Sequence, residues 1–352
     1  MSSAQVAILI VAYNARQDIE DCLTSVFSSA ADSLDLHIVL VDNNSSDGTA
    51  DFVAASFADV HLVRSDTNLG FGGGNNVGWE YIRKHWPDLD YLVLLNSDTL
   101  AEANWLTALC RLMQDRPEVG IAQAKLRLYP EISKLNSVGN SNHYLGFGFV
   151  TALGQEDLGQ YDRIRYIHFA SGAACIIRAD LIRRLGFFES DLFLYLEDTD
   201  LSWKIRQFGY QACFVPESLV YHKYSFQKNY SFYYYFERNR YWLLFTYYRL
   251  PTLLLLSPAL LFMEAGQWLF ALQQGVFLQK LRAAAFFLNP SNLRKVWTRR
   301  RTMQSQRRIS DRIFTQTYLG KIEFPFLTSP LLKLANLFLD AYWKVIRNFL
   351  FW

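Results

Sequence analysis

The stretch from Tyr91 to Thr99 constrains the fold most, because four apolar residues stop abruptly at Asn96, Ser97 and Asp98. A short run that is apolar at every position is typical of a strand buried on both faces of a parallel sheet. Such sheets bind ligands beyond the carboxyl ends of their strands. We therefore expect Asp98 at the rim of a cleft, where a carboxylate suits Mg²⁺ or Mn²⁺. It could instead cap a helix that begins at Ala101.

Three further apolar runs precede this stretch and alternate with helical patterns. Strands are predicted at Val6–Val11, His37–Val41 and His61–Arg64. The order strand, helix, strand, helix, strand predicts a parallel, doubly wound α/β sheet. Polar clusters at the ends of several of its strands would define one site.

The first two strands end in such polar clusters. Ala12, Tyr13 and Asn14 follow the first strand, and Asp42 begins the cluster that follows the second. The ring of Tyr13 can stack on a nucleobase, and Asp42 can accept a hydrogen bond from an imide N–H or a ribose hydroxyl. Asp42 could also merely cap the next helix.

A glycine-rich segment, Asn68–Asn76, leads into a helix predicted at Val77–His85. Glycines let backbone approach a ligand closely, and a helix N-terminus favours anions. The segment is neither G-x-G-x-x-G nor a P-loop, so a flexible turn is the alternative. A long irregular region, predicted over the cleft, follows later at Tyr129–Tyr166.

Acidic residues gather before a helix predicted at Leu201–Phe208. Glu197, Asp198 and Asp200 could simply stabilise the helix N-terminus. Because close like charges raise a pKa, one of them could also serve as a general base near neutrality. His222, which follows the last predicted strand, could be structural or could complete a metal or diphosphate site.

Composition excludes some classes of protein. The whole chain carries a net charge of only +2, which argues against a general polyanion binder. No C-x-x-C pair occurs among its four cysteines, which argues against a zinc site and a disulfide framework. A reducing compartment fits best.

Six motifs follow one another in the order found in a known family. They are V-A-Y-N, V-D-N-N-S-S-D-G-T, N-L-G-F-G-G-G-N-N, L-L-N-S-D-T, S-G-A-A-C-I-I-R and Y-L-E-D-T-D-L-S-W-K-I-R-Q-F-G-Y. In this order they resemble the family 2 glycosyltransferases, especially the rhamnosyltransferase-like branch of bacterial surface-polysaccharide synthesis. The resemblance implies a GT-A fold, which is Rossmann-like with a mostly parallel sheet flanked by helices. It also implies inverting, metal-dependent transfer from a nucleotide sugar.

The resemblance further implies roles at the matching positions. Asp198 would be the catalytic base with Glu197 beside it, and Asp98 and His222 would contact metal or diphosphate. A larger set would contact the donor nucleotide: Ala12, Tyr13, Asn14, Asp42, Asn44, Asn68, Gly70, Gly74, Asn76, Asn96 and Ser97. The acceptor-side candidates are Ser171, Gly172, Trp203 and Arg238. Arg238 could meet an acceptor phosphate or simply pack on the core.

One position departs from the family pattern. The first residue of the D-x-D metal motif is Asn96 here, which offers an oxygen but no charge. A catalytically silent, nucleotide-binding subunit of a glycan assembly complex is therefore an alternative. The presence of Asp98 and Asp198 argues against it.

The sequence predicts a GT-A domain at residues 1–225 and a helical, membrane-associating region at 226–352. Thr252–Leu272 is about long enough to span a bilayer but contains Glu264 and Gln267. A single span would also place the basic cluster Arg294–Arg312 across the membrane from the catalytic domain. We therefore expect an interfacial or re-entrant segment.

The last predicted helix begins at Ser329-Pro330. Its polar residues form one narrow stripe: Lys333, Asn336, Asp340, Lys344 and Arg347. This pattern favours a helix on a membrane surface, with burial in a dimer interface as the alternative.

Together these features predict a peripheral enzyme on the cytoplasmic face of the cell membrane. It would transfer rhamnose from dTDP-rhamnose, or a hexose from a UDP-hexose, to a lipid-linked glycan or polysaccharide hydroxyl, and it could form a homo-oligomer. No nucleic-acid partner is expected, because no recognised nucleic-acid motif accompanies the basic cluster.

Overall fold

The computed structural model describes residues 3–29, 34–224, 232–323 and 330–352, and the chain forms two compact units. The first comprises Met1–Asn140, Val150–Ile205 and Tyr210–Ser225, and the second comprises Ser141–Phe149, Arg206–Gly209 and Phe226–Trp352. The predicted division into 1–225 and 226–352 does not include the two short segments that the second unit takes from the earlier part of the chain.

The described residues contain twelve strands. They are β1 (Ala4–Ala12), β2 (Leu34–Asp42), β3 (Val60–Arg64), β4 (Tyr91–Asn96), β5 (Thr99–Ala101), β6 (Val119–Leu128), β7 (Leu135–Ser137), β8 (Asn140–Asn142), β9 (Gly148–Val150), β10 (Arg165–Ile167), β11 (Ala174–Arg178) and β12 (Gln211–His222). All but β8 and β9, which pair with each other, belong to one sheet.

The sheet has the order β10-β12-β6-β11-β4-β1-β2-β3, with β5 beside β12 and β7 beside β6. β1 runs parallel to both β2 and β4, and β12 runs parallel to β6. β11 is antiparallel to β4 and β6. The predicted mostly parallel sheet flanked by helices is confirmed.

Six helices begin in the first unit. They are α1 (Ile19–Ser28), α2 (Thr49–Ser56), α3 (Gly70–His85), α4 (Trp105–Asp115), α5 (Ala179–Leu185) and α6 (Glu197–Gln207). Their apolar faces cover the sheet; α1, for example, buries Ile19, Cys22, Leu23 and Val26. The apolar runs of β1, β2 and β4 form the centre of this core.

One local prediction is wrong. The glycine-rich segment is not a loop, because α3 begins at Gly70. A Cβ on Gly74 would lie 2.7 Å from Cγ1 of Val11, and one on Gly78 would lie 2.2 Å from Cδ1 of Leu9. These glycines therefore let α3 pack closely on β1, and tertiary packing overrides their poor helix propensity.

Asp98 does not cap a helix. The residues that follow it form β5, which pairs with β12, and the next helix begins only at Trp105. The region Tyr129–Tyr166 is also more regular than predicted, because it contains β7, β8 and β9 and the start of β10.

The second unit is helical in its described part. Its helices are α7 (Tyr233–Tyr247), α8 (Leu250–Gln273), α9 (Phe277–Phe286), α10 (Pro290–Gln306), α11 (Asp311–Thr315) and α12 (Pro330–Ile346). Within the described residues α8 alone is long and apolar enough to cross a membrane, a property that core helices of soluble proteins share. Ser329, the predicted cap of α12, lies outside the described residues.

The polar stripe of α12 does not form one solvated face. The side-chain amide of Asn336 accepts a hydrogen bond from the Ile322 N–H (2.8 Å) and donates one to the Ile322 carbonyl (2.9 Å). Asp340 is partly buried against Gly320. Asn336 points into the unit because its side chain binds this backbone, whereas Asp340 pairs with Lys344 (2.7 Å) and Lys333 is exposed.

Candidate active site

The register of the sheet brings the predicted strand-end clusters together. Ala12 pairs with Asp42 across β1 and β2, and Val11 pairs with Asn96 across β1 and β4. β11 runs in the opposite direction, so its amino end lies beside the carboxyl end of β4, and the Asn96 N–H donates to the Ala173 carbonyl (2.9 Å). Ser171 and Gly172 therefore join the same edge.

Hydrogen bonds join the loops that follow β1 and β2. The Asn14 N–H donates to Oγ of Ser45 (3.0 Å), and Oδ1 of Asn14 accepts from the Ser46 N–H (2.9 Å). Asn14 has a positive φ of 51°, which asparagine tolerates better than most residues. The Tyr13 side chain next to it is exposed and free to stack on a ligand, whereas Ala12 is buried.

Asp42 is buried with one oxygen unpaired. Its Oδ2 accepts from the Ser45 N–H (3.2 Å), while Oδ1 has no hydrogen-bond partner. A buried acceptor without a partner is costly, so a ligand N–H or O–H would stabilise this position. Asn44, two residues later, is exposed.

Asn43 was not among the predicted site residues, yet it fixes the start of α3. Its Oδ1 accepts from the Leu69 N–H (3.0 Å), and its Nδ2 donates to Oδ1 of Asn68 and to the Gly70 carbonyl (3.1 Å each). Oδ1 of Asn68 also accepts from the Gly70 N–H (2.9 Å). The adjacent asparagines after β2 were the available sequence signal.

The other predicted nucleotide-loop residues have packing roles in the structure. A Cβ on Gly70 would lie 2.4 Å from the Phe193 carbonyl oxygen. The Asn76 amide donates to the Phe188 carbonyl and accepts from its N–H, both at 3.0 Å. Gly74 faces Val11, as described above. Donor contacts by Asn68, Gly70, Gly74 and Asn76 therefore stay predictions.

Asp98 and His222 lie together at the sheet edge. Oδ1 of Asp98 is 3.2 Å from Nε2 of His222, and Nδ2 of Asn96 is 3.5 Å from the same nitrogen. Burial alone would raise the pKa of Asp98, but the hydrogen bond and charge of His222 outweigh it and hold that pKa below its ordinary value. Ser97, between the two strand-end residues, is half-buried.

This pair fits part of a divalent-metal site. A carboxylate oxygen and an imidazole nitrogen suit Mn²⁺. In the part of the chain that the structure describes, no group of three His, Cys, Asp or Glu side chains is placed to hold a metal. Oxygen atoms of a bound diphosphate would have to supply further ligands.

Asn136 positions His222, and sequence reasoning missed it. Asn136 is buried in β7, and its Oδ1 lies 3.0 Å from Nδ1 of His222. An Nδ1–H that donates to this oxygen leaves Nε2, beside Asp98, as the nitrogen that would bind a metal after losing its proton, which is the arrangement of many metal-binding histidines. No local signal marks Asn136, because it lies in the region predicted as irregular.

Two adjacent carboxylates open α6. Oδ1 of Asp198 accepts from the Thr199 N–H (2.6 Å), and the Gly172 N–H also donates to this carboxylate. Burial raises the pKa of Asp198 to about 6. Burial, then the charge of Asp198, raises the pKa of Glu197 to about 8, and Oε2 of Glu197 is buried without a partner. The pair can therefore accept a proton near neutrality.

The structure corrects two acceptor-side predictions. Trp203 is fully buried in α6, because the helical repeat places it on the core face. Arg238 belongs to the second unit and is buried there, with its guanidinium near the rings of Tyr234, Tyr235 and Phe286. Neither side chain lies at an exposed surface where an acceptor could reach it.

A model of the family described as "Glycosyl transferase family 2" matches residues 7–186, just over half of the chain. The chain belongs to glycosyl transferase family 2. This confirms the predicted family and the predicted enzyme class, a glycosyltransferase.

Relatives of this family 2 chain act in glycan synthesis. It is 24% identical over 234 residues to an N-acetylglucosaminyl-diphospho-decaprenol L-rhamnosyltransferase of Mycobacterium tuberculosis, covering 61% of this chain and 75% of the relative. It is 21% identical over 216 residues to a poly-beta-1,6-N-acetyl-D-glucosamine synthase of Staphylococcus epidermidis, covering 61% of this chain and 48% of the synthase.

A solved structure has the same fold. The crystal structure of GalNAc-T7 with UDP, GalNAc and Mn²⁺ matches with a TM-score of 0.57 at 15% identity, covering 69% of this chain and 48% of that chain. At this identity the likeness shows the fold alone.

The raised pKa of Glu197 predicts a pH-dependent effect of Glu197→Gln on stability. Between about pH 4.5 and 8 the unfolded chain has lost this proton while the folded chain keeps it, so wild-type stability falls as the pH rises. Glutamine carries no such penalty. In urea unfolding, the free energy of unfolding of the variant relative to that of the wild type should be about 1 to 3 kcal/mol greater at pH 8 than at pH 5.

The exposed Glu80→Gln is the control for loss of a surface carboxylate. An equal effect of Glu197→Gln at both pH values would contradict the raised pKa.

Proposed function

We propose that this family 2 enzyme transfers a sugar, with inversion, from a nucleotide sugar to a hydroxyl of a lipid-linked glycan or polysaccharide. The carboxylate of Asp198 carries the proposal. It accepts the Gly172 N–H, and Ala173 in turn accepts the N–H of Asn96 at the strand-end site. A base with a raised pKa is thus linked by backbone to the residues that can bind the donor.

The reaction is a single displacement. Asp198 accepts the proton of the acceptor hydroxyl as that oxygen bonds to the anomeric carbon. The bond from this carbon to the diphosphate oxygen breaks from the opposite side, so the configuration inverts and the nucleoside diphosphate leaves. The neighbouring Glu197 keeps its proton at neutral pH and limits the negative charge beside the base.

Asp42, Tyr13 and the loop around Asn14 would hold the nucleoside. The unpaired Oδ1 of Asp42 suits the imide N–H of thymine or uracil, and the exposed ring of Tyr13 can stack on the base. We favour dTDP-rhamnose as donor, supported by the motif resemblance and by the rhamnosyltransferase among the relatives. A UDP-hexose is the alternative, since thymine and uracil share this imide.

Asp98 and His222 would hold a divalent cation, Mg²⁺ or Mn²⁺. Such an ion, when bound, stabilises negative charge on the leaving diphosphate. The carboxylate and imidazole of this pair and the Mn²⁺ named with the solved structure of the same fold support this proposal.

We also propose that the enzyme works at the cytoplasmic face of the cell membrane. The rhamnosyltransferase relative is named for a decaprenol-linked acceptor, and such a lipid is confined to a membrane. Homo-oligomer formation stays a prediction.

Replacing the base should stop transfer without weakening donor binding. Asp198→Asn removes the proton acceptor, so turnover should fall by about 10² to 10⁴. Calorimetric affinity for dTDP should stay unchanged. In the wild type, kcat/KM should rise with pH through about 6, where Asp198 ionises.

Asp180→Asn, a surface carboxylate of α5, is the matched control and should retain full activity. Full turnover by Asp198→Asn would refute the assignment of the base.

Removing the partner of His222 should weaken metal binding. Asn136→Ala leaves the imidazole free to rotate, so the affinity for Mn²⁺ in the presence of dTDP, measured by electron paramagnetic resonance, should fall about tenfold to a hundredfold. Asn136→Asp keeps an acceptor oxygen and should restore much of it.

Asn348→Ala, on an exposed part of the second unit, is the control. Unchanged Mn²⁺ affinity in Asn136→Ala would show that Asn136 does not position a metal ligand.

A further inference from the structure

The most apolar helix of the second unit, α8, packs the polar side chains Glu264 and Gln267 against neighbouring helices, whereas Gln273 at its end is exposed. Oε1 of Glu264 is 2.7 Å from Nζ of Lys280 in α9, and its other oxygen accepts the Tyr241 hydroxyl. Oε1 of Gln267 accepts the Tyr233 hydroxyl (2.8 Å). These polar groups face α7 and α9.

The partners of Glu264 form a closed charge cluster. Oε1 of Glu237 is 2.6 Å from Nη2 of Arg240 and 2.7 Å from Nζ of Lys280, and all three side chains are buried. Burial alone would raise the pKa of Glu237, but the two cations outweigh it and hold that pKa below its ordinary value. With Glu264, two acidic side chains balance two basic ones. Moving α8 away from α7 and α9 would therefore leave buried charges without partners.

The opposite face of α8 is apolar and exposed. Leu254 and Leu261 are 75% and 72% exposed, and Leu269 and Leu272 continue the same face, at successive spacings of seven, eight and three residues. α9 adds exposed Leu278 and Leu281, and exposed Leu288 follows in the turn after it.

α12 extends this surface. With Asn336 turned inward and Asp340 partly buried, most of its exposed residues are apolar, and they lie beside exposed Lys333 and Lys344. The apolar ones include Leu331, Leu334, Leu337, Phe338 and Val345. The rings of Phe338 and Phe262 of α8 have centroids 4.6 Å apart, and both side chains are exposed. We call the exposed apolar residues of α8, α9 and α12 the apolar face.

The sequence around the apolar face is strongly basic. Residues 250–352 contain fourteen Lys and Arg against four acidic residues, a formal net charge of +10 in a chain whose total is +2. On α9 and α10, exposed Arg282, Arg294 and Lys295 accompany exposed Trp297. Apolar residues bordered by cations and tryptophan match the surface of an anionic bilayer.

We propose that the apolar face binds the surface of an anionic bilayer with α8 lying in the membrane plane, not crossing it. A span would require α8 to leave Lys280 and Glu237 or to carry the charge cluster into hydrocarbon. A second copy of this chain is a poorer occupant of the apolar face, because it would bring together two regions that each carry a formal net charge of +10. This proposal depends on the proposed function in one respect: the lipid-linked acceptor gives the enzyme a reason to bind a membrane.

Flotation of the full chain with lipid vesicles tests whether the apolar face binds a bilayer. The wild type should float with vesicles that contain phosphatidylglycerol, and less well at high salt or with phosphatidylcholine alone. Leu261→Glu with Leu269→Glu should lower partitioning more than about tenfold. The matched control, Leu158→Glu with Ile132→Glu, changes exposed residues of the first unit and should float like the wild type.

Failure to float, together with a dimer in ultracentrifugation that Leu261→Glu with Leu269→Glu dissociates, would overturn the proposal in favour of a second copy. Calorimetric binding of dTDP by the same variants reports the proposed active site separately, so either idea can fail alone.

Labelling of single cysteines tests the orientation of α8. The four native cysteines are buried, so Leu250→Cys and Gln274→Cys place reactive thiols at exposed positions at the two ends of the helix. An impermeant maleimide should label both from the same side of sealed membrane vesicles. Labelling of the two ends from opposite sides would show a span and overturn the proposal.

Discussion

The parallel pairing of β1 with β2 and β4 is the constraint on which the site depends. It places Ala12 beside Asp42 and Val11 beside Asn96, so loops from distant parts of the sequence emerge at one edge. The antiparallel insertion of β11 is equally important, because it brings the Ser171–Gly172 turn to this edge from the opposite direction. The Gly172 N–H in this turn also faces the carboxylate of Asp198, which lies on a helix.

The acidic residues of the site differ in pKa because their surroundings differ. Asp98 lies beside a histidine and stays ionised, which suits a metal ligand. Glu197 is buried beside the partly buried Asp198, so their pKa values rise and the pair holds one proton near neutral pH. Carboxylates with such different pKa values can take different roles in one reaction.

Much of the sheet and of its strand-end site was predictable because the sequence patterns that mark them are local. Apolar runs that end in polar residues located β1, β2 and β4, and their parallel order followed from the intervening helices. Contacts between distant segments were not predictable: Asn136 meets His222 across 86 residues, and Asn43 meets Leu69 across 26. Glycines of α3 suggested a phosphate loop, because a single sequence does not show that Leu9 and Val11 pack against them.

Helix faces were misjudged for a related reason. Trp203 and the polar residues of α12 were assigned from their own helices, but burial depends on what packs against each face. Asn336 turns inward because its side chain binds the backbone of Ile322, Asp340 is partly buried against Gly320, and no pattern within α12 reveals this.

Calorimetric titration of the protein with dTDP, UDP and GDP, each with and without Mn²⁺, tests the account most directly. The strand-end site predicts that dTDP or UDP binds more tightly than GDP and that Mn²⁺ strengthens binding, an effect that Asp98→Asn should abolish. Absence of binding by all three nucleotides would contradict the assignment of this sheet edge as a donor site and would favour a catalytically silent subunit.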